Sequence, residues 1–234
     1  MQPTDTRDAV VTSAPSGVVH RTGRPKPGER RIHILQTLAS MLETPRGEKI
    51  TTAALAARLG VSEAALYRHF ASKAQMYEGL IDFIEQTLFA LINQIVAKEP
   101  SGVLQARAIA LMLINFATKN AGMTRVLTCE ALVGEHERLA ERVNQMLDRI
   151  EASLRQCLRV GVAEGSESGE DRGDGSGEST HNPGATALPK GYDPAMRANL
   201  LVRYVIGCWH RYAQSGFTRS PVEHADEQIR VILQ

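Results

Sequence analysis

A single glycine between two short amphipathic runs limits what this chain can fold into more than any other residue. In ITTAALAARLGVSEAALYRHFASK, residues 50–73, Leu55, Ala56 and Leu59 fall on one face of a helix that Thr51 or Thr52 can cap. Gly60 follows the last apolar residue, where a chain leaving a helix turns through a positive φ that glycine tolerates best. Val61 fills the turn, Ser62 caps a second helix, and Leu66 and Phe70 point back at the first. Ala56 is small where the two helices cross closely. Ser72-Lys73-Ala74-Gln75 is a capping box that opens a longer third helix. This order of parts predicts a helix-turn-helix, with the second helix held out from the core by the first.

The remaining chain is helical by period. Ile34, Leu35, Leu38, Met41 and Leu42 form one apolar stripe, and Tyr77, Leu80, Ile81, Ile84, Leu88, Leu91, Ile92 and Ile95 form a second. A third stripe is Leu139, Val143, Met146, Leu147, Ile150, Leu154 and Leu158; a fourth is Leu201, Tyr204, Val205, Cys208 and Tyr212. No five-residue alternating pattern competes with them, so the expected fold class is all-α. Two stretches lack any apolar period. Residues 1–28 end in the basic HRTGRPKPGER and are expected to be a disordered arm. Residues 161–191 hold eight glycines and few large apolar side chains, which predicts a flexible acidic loop. The expected domains are a helix-turn-helix unit at 29–75 and a helical body at 76–234.

Net charge over the 234 residues is only +1, so the sum implies no polyanionic partner, but the distribution does. Between Arg21 and Leu80 ten Lys and Arg face five Glu, whereas between Val160 and Tyr192 six acids face two bases. An ordinary corner between two helices shares the glycine turn but has no reason to be basic. With Leu66 and Phe70 turned inward, Ser62, Glu63, Ala64, Ala65, Tyr67, Arg68 and His69 are left outside or at the edge. A helix start made of small residues lets the backbone approach base edges, while Tyr67, His69 and Lys73 suit phosphate oxygens. Glu63 can accept from a cytosine amino group and Arg68 can reach guanine. Together with Thr51 and Thr52, these residues form the expected surface for double-stranded DNA.

Other functional classes find little support. There is no G-x-S-x-G, P-loop, H-E-x-x-H or dinucleotide fingerprint, so no catalytic set and no cofactor is expected. Cys129, Cys157 and Cys208 are odd in number and widely spaced, which fits a reducing cytosol better than a disulfide framework or a metal site. No run of about 18 uninterrupted apolar residues suggests a membrane span, and the N-terminal residues lack the pattern of a secretion signal.

Residues 60–73 match G-V-S-x-x-x-L-Y-x-H-F-x-S-K throughout, and so resemble the DNA-binding domain of TetR-type regulators. The likeness extends through RRIHILQTLASMLE at 30–43, SEAALYRHFASKAQMYEGLIDFIEQTL at 62–88, NAGMTRVLT at 120–128 and ERVNQMLDRIEASLRQCLR at 141–159. It ends in the spaced set Gly207, Arg211, Tyr212, Ser215, Phe217 and Pro221. Over about residues 29–234, the acidic stretch excepted, the chain resembles the SlmA branch of that family, the nucleoid occlusion factors. The resemblance implies about nine helices and a homodimer built on the two long C-terminal helices of each subunit. It implies binding to palindromic chromosomal DNA in the cytoplasm, and antagonism of polymers of FtsZ, the tubulin-like division protein. The C-terminal tail of FtsZ is then expected along the first two long helices of the body, against Phe83, Met112, Asn115, Lys119 and Asn120. Leu91 stands where the branch has a basic residue and Asn115 where it has glycine, which implies a tighter and more apolar groove. The other occupation of the fold is a repressor released from DNA by a small inducer; it requires an apolar pocket of several hundred Å³.

Overall fold

The computed structural model describes residues 28–44, 50–170 and 191–234, which hold nine α-helices and one 3₁₀ turn, with no strand among them. The head consists of α1 (Glu29–Leu42), α2 (Thr52–Leu59) and α3 (Glu63–Tyr67). The body follows as α4 (Lys73–Lys98), α5 (Gly102–Lys119), α6 (Ala121–Leu127), the 3₁₀ turn Glu130–Leu132, α7 (Arg138–Glu170), α8 (Pro194–Gln214) and α9 (Ala225–Leu233).

The head forms from the interactions its sequence encodes locally. Thr51 accepts from the amide of Ala54, Ser62 from that of Ala65, and Ser72 from that of Gln75, so α2, α3 and α4 each begin on a side-chain cap. Gln75 reaches back one residue beyond the cap, accepting from the Ala71 amide at 2.8 Å in a variant of the capping box. Gly60 leaves α2 at φ +64°, and Val61 N–H reaches back to Ala56 O at 3.0 Å. Leu55, Ala56, Leu66 and Phe70 are all buried against the apolar face of α1 and the start of α4.

In the body, α4 and α5 form an antiparallel hairpin, and α5 also packs on α7, α8 and α9. Trp209 of α8 is fully buried and donates its indole N–H to Leu113 O at 3.0 Å, which ties α8 to the middle of α5. Along one side, Glu78, Asp82 and Glu85 of α4 pair with Arg138, Arg142 and Arg149 of α7. At the far end Arg107 makes a two-pronged pair with Asp226, joining α5 to α9.

Head and body meet where α1 crosses α6. An ideal Cβ on Gly122 would lie 1.9 Å from Ala39 O, so the approach requires a residue without a side chain. Beside it, Arg125 of α6 donates to Leu42 O at 3.2 Å and Thr44 O at 3.1 Å, and pairs with Glu130 at 3.1 Å. Those carbonyls belong to the end of α1, which has no intrahelical donor for them.

Two expectations change. The flexible loop was expected from residue 161, but α7 continues to Glu170. Gly161 is buried against Val103 and Gly102, and Glu164 accepts from the first amide of α5 at 3.2 Å, so the glycine serves a helix crossing. The remainder of that stretch, 171–190, and the arm at 1–27 lie outside the described residues. Secondly, the stripes of the two long C-terminal helices are mostly covered within the one chain, with Leu147, Tyr204 and Cys208 half-buried. Leu139, Val143, Met146, Ile150, Leu154, Leu158, Leu201, Val205 and Tyr212 are buried within the one chain. A helical period reports that a face is covered, without saying by which partner.

The junction generates a stability test. Gly122→Ala drives a methyl into the Ala39 carbonyl and should destabilise the protein by about 1–3 kcal/mol, the range for overpacking. Urea unfolding measures it; an unchanged midpoint would mean that α1 can move away from α6 at no cost.

Candidate nucleic-acid interface and partner groove

The head presents α3 outward. Ser62, Glu63, Ala64, Tyr67, Arg68 and His69 are exposed, and Ala65 is half-buried. Thr51 is exposed and Thr52 half-buried at the start of α2, directly across from Glu63. The Thr52 hydroxyl donates to Glu63 Oε2 at 2.6 Å, and the Tyr67 hydroxyl reaches Thr52 Oγ1 at 3.5 Å. Nine of the ten residues expected at DNA therefore lie on α3, at its ends or at the start of α2, each exposed or half-buried. Three of them also brace one another, and Glu63 reaches outward with one oxygen already bonded.

The turn that follows α3 is held by a residue the sequence reading missed. Arg31 of α1 donates from Nη1 to His69 O at 2.9 Å and lies 4.1 Å from the centre of the Phe70 ring. Arg31 stands one turn before Leu35, which packs in the same core, and that spacing was the available signal.

Lys73, the tenth residue, is engaged elsewhere. Its Nζ lies 2.5 Å from Glu135 Oε1, in the turn before α7, and 5.6 Å from the Tyr77 ring centre. Tyr77 is buried beneath this pair; burial, and then the Glu135 carboxylate, push its phenol up to about 12, with Arg125 pulling the other way.

The body carries an open cleft of about 330 Å³ between α4 and α5, lined by Leu91, Gln94, Ile95, Lys98, Glu99, Ala108 and Met112. Its floor is apolar and its polar groups lie toward the connection between the two helices. Of the five residues expected along a partner groove, only Met112 lines this cleft. Phe83 lies about two turns before Leu91 on α4, nearer the head, and Lys119 and Asn120 lie at the end of α5 that leads into α6. Phe83 and Met112 are half-buried against the core, while Asn115 and Lys119 are exposed. Asn115 and Asn120 each donate to the carbonyl four residues earlier, Leu111 and Phe116. Leu91 and Ile95, members of the apolar stripe of α4, are half-buried and form the apolar floor, Leu91 as the sequence departure at that position implied. Among the described residues no three His, Cys, Asp or Glu side chains come together as a metal site.

Residues 48–80 match bacterial regulatory proteins of the tetR family, and residues 101–169 match the SlmA-like form of the tetracyclin repressor-like C-terminal domain. The nucleoid occlusion factor SlmA of Alteromonas mediterranea is 44% identical over 203 residues, covering 87% of this chain and 93% of that protein. SlmA of Idiomarina loihiensis is 45% identical over 205 residues, covering 88% and 94%. Among solved structures, a TetR transcription regulator from Haloarcula marismortui aligns with a TM-score of 0.67 at 14% identity, over 87% of this chain and 96% of that one. The fatty acid degradation regulator FadR from Bacillus halodurans aligns with a TM-score of 0.64 at 12% identity, over 86% and 97%. Likeness at such low identity speaks for the fold, and the closer relatives speak for the branch: the chain belongs to the TetR family of bacterial regulators and, within it, to the nucleoid occlusion factors named SlmA.

Proposed function

We propose that this protein is a nucleoid occlusion factor that binds palindromic chromosomal DNA as a cytoplasmic, nucleoid-associated homodimer and antagonises FtsZ polymers near the chromosome. The observation that carries the reading is the course of α4. One unbroken 26-residue helix begins beside the exposed face of α3 and forms a wall of the groove at its other end. A DNA-facing surface and a peptide-sized groove thus share one rigid element.

Each surface has a chemistry suited to its role. Ser62, Ala64 and Ala65 are short enough for the backbone of α3 to enter a major groove, with Arg68 and Glu63 as base readers and Thr51, Thr52, Tyr67 and His69 as neighbours of the phosphates. Lys73 lies at the border of this surface. In the body, Lys119 supplies a cation and Phe83 and Met112 apolar surface, which suits a tail that is acidic in part and apolar in part. Asn115 and Asn120 border them.

For the dimer, Met196 and Leu200 of α8 are exposed, and Tyr204, Gly207 and Arg211 continue the same outward face. This face, rather than the buried stripes, is the surface left for a second copy. A small inducer is the competing occupant of the α4–α5 cleft. The cleft opens to the surface along its length, which favours a peptide laid lengthwise over an enclosed ligand.

Separate tests address the two surfaces. Tyr67→Ala should weaken the preferred duplex and a scrambled one by nearly the same factor, whereas Arg68→Ala should change which sequence is preferred, at roughly 1–3 kcal/mol per lost base contact. Binding selection from a random pool followed by titration distinguishes them; a Tyr67→Ala protein that loses only its sequence preference would reverse the assignment.

For the groove, Lys119→Glu is the cleaner change because the side chain is exposed. DNA affinity should stay within about threefold, or roughly 0.7 kcal/mol, while FtsZ antagonism measured by polymer sedimentation falls much further. Normal DNA binding with undiminished antagonism would remove the groove assignment in favour of the inducer-released repressor.

A further inference from the structure

The body already occupies a lysine that the sequence places at the DNA-facing surface. Lys73 is the first residue of α4, behind the cap Ser72 and four residues after the exposed His69. Its Nζ meets Glu135 Oε1 at 2.5 Å, with the two side chains 24% and 11% exposed. The pair joins residues 62 apart and is one of the polar links between the start of α4 and the segment before α7.

The two partners differ in freedom. Glu135 sits in a closed turn: its amide donates to Leu132 O at 2.9 Å, and Gly134 ahead of it lies at φ +76°. The backbone that carries this carboxylate is therefore fixed, and its side chain is only 11% exposed. Lys73 ends in a point charge on a flexible four-carbon stem, so it is the partner able to turn away. A phosphate approaching the start of α4 would find the nearest ammonium satisfied by another anion. That anion would also repel it.

We propose that Glu135 stands in for a DNA phosphate, holding Lys73 against the body in the absence of a duplex and setting the affinity and salt dependence with which the head binds DNA. This rests on the reading of α3 as the DNA-facing helix and adds a residue of the body, outside the helix-turn-helix, to the determinants of that binding. DNA must take Lys73 from Glu135 or do without it. While Lys73 stays with Glu135 it neutralises no phosphate and releases no counterion, so the salt dependence is shallower than with an unpaired lysine.

The test uses the full chain and two labelled duplexes of equal length, one recovered by selection from a random pool and one of mixed sequence. Anisotropy titrations between 50 and 200 mM KCl compare the parent with Glu135→Gln, Glu135→Ala, Lys73→Ala and the double variant Lys73→Ala/Glu135→Gln. Both Glu135 variants should bind both duplexes more tightly, by about threefold or more, the scale of one exposed ion pair. Their salt dependence should steepen by roughly one unit per protomer. Lys73→Ala should change the parent little and abolish the gain in the double variant. Glu141→Gln, an exposed acid of α7, should leave DNA affinity unchanged.

Stoichiometric titration fixes the active fraction of each protein, so that a partly unfolded variant does not pass for a weak one. A gain that survives in the double variant is a general loss of negative charge, and overturns the proposal. So does an affinity unchanged or weakened in both Glu135 variants while the parent binds normally. A parent that binds neither duplex removes the DNA-facing reading itself, and this proposal falls with it.

Discussion

The contact between α1 and α6 fixes where the head stands on the body. Backbone meets backbone there, because Gly122 has no side chain to hold the Ala39 carbonyl away, and Arg125 then reaches the carbonyls at the end of α1. Leu42 is buried, and a buried acceptor left unpaired costs about 1–3 kcal/mol, whereas Thr44 is exposed and its carbonyl can turn to water. Close approach and satisfaction of the carbonyls therefore depend on each other. With the crossing set, α1 carries Arg31 to the turn after α3, so the exposed helix is positioned by the body through two successive contacts.

Much of the head was legible because its determinants are local. Gly60, Ser62 and Ser72 act on residues within four positions of themselves, and the inward direction of Leu66 and Phe70 follows from helix geometry alone. What escaped depends on how helices cross. Arg31 meets His69 across 38 residues, and Lys73 meets Glu135 across 62. In the sequence, Lys73 is a basic residue in a DNA-binding motif; its partner appears only when α7 is brought beside α4. Trp209 likewise gave no sign that its indole would reach the Leu113 carbonyl at the centre of the core.

Glycine shows the same limit from another side. Eight glycines between 161 and 191 lower helix propensity enough to predict a loop, yet α7 runs through the first of them to Glu170. Propensity is a difference of about 1 kcal/mol per glycine, which packing against Gly102 and Val103 and the bond from the Gly102 amide to Glu164 are able to offset. Gly60 behaved as expected because no tertiary contact competes with its turn.

Helix α4 relates the two surfaces physically. Glu78, Asp82 and Glu85 form its charged side, and Arg138, Arg142 and Arg149 of α7 grip that side. Phe83, Leu91 and Gln94 lie on the opposite side of the helix, by a period of 3.6 residues per turn. Ion pairs this exposed contribute little stability each, commonly under about 1 kcal/mol. Their effect is directional: three arginines along one edge oppose rotation of α4 about its axis, and rotation is the motion that would turn Leu91 away from the cleft. Glu85, the most buried of the three acids, meets two of the arginines and marks the point where that restraint is strongest. The buried stripe Tyr77, Leu80, Ile81, Ile84, Leu88 and Ile92 sets the rotation of α4, and the arginines add to that restraint along one edge, so Leu91 stays at the cleft.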